Sequence, residues 1–174
     1  MDRYYYLVAQ LPTLVFEKKS GMTIEYFLEQ AEKWVNKRDI RKLKKIDLDD
    51  TSFKKMGVKS YRQYQEFEYR FRKGLADYRK SVKKSEESKK VSFPEELVKE
   101  GDPLSIEKKL LRYRWDYIDE LTKEHDFDLD ALILYYLKLQ IKNKLSVFNK
   151  EKGLEVFHQT VDEKSDRTDT SQKD

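Results

Sequence analysis

The sequence predicts an all-α fold, a helical array of about six helices in two lobes, and three observations predict it. Apolar residues recur at three- and four-residue steps through the long segments, the period of one helix face. Helix start signals stand just ahead of several of those segments. Charged residues make up 40% of the 174 and hydrophobic residues 38%, a balance that suits helices with one buried stripe and a wide solvated face. The aromatic fraction of 13% argues against a disordered chain.

The first element, residues 4–14, holds the dense run Tyr4, Tyr5, Tyr6, Leu7, Val8 and Leu11. Tyrosine and valine favour a strand, while Leu7 to Leu11 suits a helix, so residues 4–11 stay open between the two. Burial is expected either way. Residues 20–37 read as a helix, with Thr23 as N-cap and Glu25 in the positive first turn. Ile24, Phe27, Leu28, Ala31, Trp34 and Val35 share its apolar face. A short amphipathic piece follows, with Asp39 as the expected cap and Ile40, Leu43 and Ile46 turned inward.

After a loop at 47–57, Ser60 and Gln63 read as a capping box. The long helix behind it runs to about residue 84. Its stripe is Tyr61, Tyr64, Phe67, Phe71, Leu75, Tyr78 and Val82. The opposite side is densely charged, and such a helix needs a partner, because propensity alone rarely holds one. The stripe suits a bundle core, or else an exposed seam for a helix of another protein flanked by Arg62, Arg70, Arg72 and Arg79.

Residues 81–94 are polar and read as a linker between an N-terminal lobe, 1–80, and a C-terminal lobe, 95–161. Gly101-Asp102-Pro103 supplies a breaker, a cap and a proline at the first helical position. The helix behind it has two apolar stripes, one through Leu111, Trp115 and Ile118, the other through Leu110, Tyr113 and Tyr117. A helix apolar on two sides sits between neighbours. Asp128 caps residues 129–148, the most apolar helix of the chain, broken by Lys138 and then by Gln140, Lys142 and Lys144. Leu154, Phe157 and Val161 outline one last short helix, and 162–174 reads as a disordered tail.

The search for chemistry ends in exclusions. There are no cysteines, hence no disulfide, thiolate metal site or cysteine nucleophile. The two histidines, His125 and His158, have no metal-ligand spacing, and His125 suits a helix C-terminus. The five glycines are isolated, so no phosphate-cradling loop is present. Carboxylates alternate with lysine and arginine on the expected outer faces and read as solvated partners. We therefore expect no enzymatic activity, no metal, no cofactor and no small-molecule ligand. Lys37, Arg38, Arg41, Lys42, Lys44 and Lys45 form one basic cluster, diluted by Asp39, Asp47, Asp49 and Asp50. With a net charge of only +4, nucleic acid is the disfavoured partner and protein the favoured one. No segment approaches the ~20 apolar residues of a membrane helix, and the start lacks the features of a signal peptide. A cytoplasmic protein, peripheral to the membrane through a protein complex, is expected.

Two segments carry a family resemblance. The first is Tyr4-Tyr5-Tyr6-Leu7-Val8-Ala9-Gln10-Leu11-Pro12 followed by Phe27-Leu28. The second is Leu132-Ile133-Leu134-Tyr135-Tyr136-Leu137-Lys138-Leu139-Gln140-Ile141, followed by Glu151 to Phe157. Together they resemble an uncharacterised bacterial family encoded in V-type ATP synthase operons. That resemblance implies a counterpart of the rotor-spacer subunit, the all-helical funnel between central stalk and rotor ring, or a reduced version or assembly factor. It implies other V-type ATPase subunits as partners. Tyr4, Tyr5 and Tyr6 are then contact candidates because they carry the signature. Lys138, Gln140 and Lys142 are candidates because they interrupt an apolar helix. A nucleic-acid-associated helical protein and a self-associating helical adaptor are the alternative expectations.

Overall fold

The computed structural model describes residues 4–53, 56–84 and 93–148. Among them are seven helices and no strand: α1 (Tyr5–Gln10), α2 (Ile24–Trp34), α3 (Lys37–Leu43), α4 (Lys59–Lys84), α5 (Glu96–Lys99), α6 (Pro103–Thr122) and α7 (Leu129–Val147). The fold is all-α, as the periodicity predicts. The expected last helix and the tail lie outside the described residues.

The first element resolves as helix. Leu7 is buried at its centre, and the Tyr4 backbone N–H donates to the Phe127 carbonyl at 3.2 Å. A strand would need a sheet edge to satisfy its other backbone groups, and none stands among the described residues. In α1 the Val8 N–H donates to the Tyr4 carbonyl and the Leu11 N–H to that of Val8.

The most apolar helix is the central one. Ala131 to Leu134, Tyr136, Leu137, Leu139 and Ile141 of α7 are all buried, because α6, α4, α2 and α3 cover it from different sides. A helix apolar nearly all round requires such cover. α6 and α7 form an antiparallel hairpin through 123–128, with Lys138 of α7 ion-paired to Asp119 and lying over the Trp115 ring. α4 runs antiparallel to α6: Phe67 stacks on Tyr117 with centroids 4.0 Å apart, and Phe71 on Tyr113 at 5.2 Å.

Tyr61, Tyr64, Phe67 and Phe71 are thus internal. A seam for a second copy would need these rings at the surface. Val82, the last residue of that stripe, is exposed.

One hydrophobic core includes residues from both sides of the expected linker. Phe27 of α2 packs its ring against Tyr135 and Tyr136 of α7. Residues 81–84 continue α4, and Phe93 is buried against Phe71 and Tyr78. Residues 85–92 lie outside the described residues. The helices of the two expected lobes share this core because α7 cannot cover its apolar surface with α6 alone.

Three caps form as the sequence signals them. Thr23 accepts from the Tyr26 N–H, Asp102 from Leu104 and Ser105, and Asp128 from Ala131. Gly101 has φ +125°, and a Cβ there would run into the Ser105 hydroxyl.

Two expected caps are corrected. Asn36 caps α3, accepting from Arg38 and Asp39; Asp39 itself sits in the first turn. The Ser60–Gln63 capping box does not form: Ser60 Oγ and Gln63 Oε1 are buried without a hydrogen-bond partner among the described residues. Instead Asp130 of α7 accepts the Ser60 backbone N–H at 2.8 Å. A tertiary carboxylate thereby satisfies one orphan donor of the α4 N-terminus.

Candidate protein-contact surface

The three signature tyrosines divide. Tyr4 is buried, its hydroxyl donating to Asp39 Oδ2 at 2.7 Å and accepting from Asn36 Nδ2 at 2.7 Å. This pins the start of α1 to the α2–α3 corner. Burial works to raise the Asp39 carboxyl, but the hydrogen bonds from Tyr4, Asn36 and Lys42 outweigh it and hold it below the usual aspartate value. Tyr4 is therefore an anchor rather than a contact residue.

Tyr5 and Tyr6 face outward, 49% and 68% exposed. Tyr6 stacks on Trp34 at 5.9 Å, with the planes 24° apart, and Trp34 is itself 47% exposed. Tyr5 meets Tyr6 edge-on at 5.8 Å and leans on Phe127 at 4.8 Å. Rings held by one another at a surface, with Tyr4 bolted beneath them, form a preorganised apolar ledge.

The three candidates on α7 are bound internally. Lys138 pairs with Asp119. Gln140 accepts the Leu48 N–H at 2.8 Å and donates to the Ile46 carbonyl at 2.9 Å, holding the chain after α3. Lys142 Nζ donates to the carbonyls of Val15 and Phe16 at 2.9 Å, and to that of Lys18. The Tyr135 hydroxyl adds a bond to the Pro12 carbonyl at 2.9 Å. Burial lowers the Lys142 pKa, against the opposing charge of Glu17. All three polar interruptions are ties that fasten other segments to the central helix.

An ionic chain runs from the interior to the surface: Glu68 and Arg114 are buried, whereas Arg72, Asp49 and Lys144 are partly exposed. Glu68 of α4 is 0% exposed and accepts both Nε and Nη2 of Arg114 at 2.9 Å. Arg114 also donates to the Leu110 carbonyl and lies 4.7 Å over the Phe71 ring. Arg72 binds Glu68 at 2.5 Å and Asp49 at 2.7 Å, and Lys144 reaches Asp49 at 2.5 Å. Five alternating charges thus connect α6, α4, Asp49 of the segment after α3, and α7. Each of the five has an opposite charge beside it, and the arrangement suits a structural tie.

His125, Asp128 and Asp130 offer ligand atoms within 4.8 Å of one another. Each is already engaged: His125 Nδ1 lies 2.8 Å from Asp128 Oδ2, Asp128 caps α7, and Asp130 caps α4. The basic cluster is partly neutralised too, Lys42 pairing with Asp39 and Lys44 with Glu32. No helix among the described residues is long and apolar enough to cross a membrane.

Comparison with known proteins adds one match. Residues 95–167 are similar to a family described as Protein of unknown function (DUF2764). The matched stretch takes in α5, α6 and α7 and runs on past residue 148. It includes the closing segment Leu132–Phe157 but not the signature tyrosines. No curated protein and no solved structure matches the chain.

Proposed function

We propose that the chain is a non-catalytic accessory or central-stalk subunit of a bacterial V-type ATPase, acting through protein–protein contacts in rotor coupling or assembly. The observation that carries the protein-binding part is the exposed stack of Tyr6 on Trp34, flanked by Tyr5. Tyrosine and tryptophan are enriched at interface anchors, and a rigid aromatic ledge binds with little loss of side-chain freedom.

The ATPase part is supported by the resemblance of the two end segments. Tyr5 and Tyr6, from the first of these, stand on the ledge. A rotor spacer transmits force through packed helices and matched surfaces and needs no reactive group. The paired charges of the interior are consistent with such a part. Its partners would be head, stalk or rotor-ring subunits on the cytoplasmic side.

Affinity purification of the tagged full chain at moderate salt, read by mass spectrometry, tests this. Recovery of those subunits is the expected result. Recovery of ribosomal proteins, of nucleic acid or of nothing, while the ATPase stays intact, would refute the proposal.

A further inference from the structure

We infer that the corner where α1 meets the α2–α3 turn docks an acidic amphipathic segment of a partner protein. This rests on the protein-binding reading above and adds the chemistry of what is bound.

The ledge of Tyr6 and Trp34 ends at the last residue of α2, and cationic residues follow closely in the chain. Lys37, Arg38 and Arg41 are exposed, and none of them has an ion pair among the described residues. This sets them apart from Lys42 and Lys44. The only acid within α3 is Asp39, already held by Tyr4, Asn36 and Lys42. An apolar anchor at the end of α2 is thus followed at once by a first turn of α3 whose exposed cations have no ion-pair partner among the described residues. A complementary occupant carries apolar residues for the ledge and Asp or Glu for these cations.

A nucleic acid suits the corner less well. Base stacking needs open ring faces, and Tyr6 and Trp34 each turn one face to the other. Glu29 and Glu32 of α2 are already paired, with Lys33 and Lys44, so neither opposes an acidic occupant. A second copy is disfavoured as well, since a two-fold contact would set these cations against their own copies.

The test uses the full chain with p-benzoylphenylalanine at position 6, expressed in cells that carry the protein naturally and irradiated. The crosslinked peptide is sequenced. The expected adduct is a segment in which acids accompany apolar residues at helical spacing, and Lys37→Glu with Arg38→Glu lowers its yield about tenfold. An adduct to nucleic acid, to a second copy or to a basic or neutral segment overturns the inference. So does no adduct, or a yield unchanged by the charge reversals. An acidic segment from a protein outside the ATPase would keep this inference and remove the ATPase reading. ATPase subunits captured only by a probe at the exposed Val82 would do the reverse.

Discussion

The Glu68 carboxylate, fully buried on α4, receives two parallel N–H bonds from the Arg114 guanidinium on α6, each 2.9 Å long. Removing one partner strands the other in a dry site. Glu68→Leu should cost about 3–5 kcal/mol, whereas Glu68→Leu combined with Arg114→Leu should recover most of that loss. Urea denaturation of both single variants and the double variant measures the coupling. Simple additivity would show that the pair is not a unit.

Gln140 makes a second, independent prediction. Its amide satisfies the Leu48 N–H and the Ile46 carbonyl, so Gln140→Leu leaves both without their partner at a cost of about 1–3 kcal/mol. By contrast, Tyr6→Ser should change stability by less than about 1 kcal/mol, because that ring is mostly exposed. Thermal melts of the two variants separate a structural tie from a contact residue.

Alkaline titration supplies a third. Burial raises Tyr61 and Tyr135 to about 12 and Tyr64 well above its ordinary value of 10.0. A raised folded pKa contributes stability that is complete below 10.0 and lost as pH rises through the folded value. In ultraviolet titration, Tyr61, Tyr64 and Tyr135 should keep their protons past about pH 10 until the fold opens. Full ionisation of all 12 tyrosines near pH 10 with native circular dichroism would contradict this.

The acid limb has the opposite sign. At Asp49 burial acts to raise the carboxyl, but the Lys144 hydrogen bond and the charges of Lys144, Arg72 and Arg114 outweigh it and lower the pKa below 3.8. Asp39 is lowered as well. Each contributes stability present above 3.8 and lost as pH falls through its lowered value. Asp49→Asn should flatten the loss of melting temperature below about pH 4, since that variant has no such carboxyl to protonate.

Much of the fold was legible because helix faces are written in residue spacing. The stripes of α2, α4 and α7, and the caps at Thr23, Asp102 and Asp128, came directly from period and residue type. The Ser60–Gln63 box failed because Asp130, far along the chain on α7, supplies the acceptor; local spacing cannot register a tertiary cap. The shared core escaped because a polar linker reads as a boundary whether or not the helices on either side pack together.

The contact candidates were legible only in part. Alternation of type could not tell which of three consecutive tyrosines turns inward, and Trp34 looked like a core residue of α2. Glu68 and Arg114 did leave a signal. Glu68 lies between Tyr64 and Phe71, and Arg114 between Leu110 and Ile118, at helical steps on the apolar faces. Opposite charges on the buried faces of two helices announce a pair, once those helices are known to be neighbours.

We propose above that this chain belongs physically to a V-type ATPase. The most direct measurement is fractionation of the detergent-solubilised, intact enzyme from cells that express the chain naturally, with the chain followed by immunoblot. The account predicts that it co-elutes with the complex and that Tyr6→Ser with Trp34→Ser shifts it to the position of the free protein. Elution of the wild-type chain as free protein, away from an ATPase that remains whole, would contradict it.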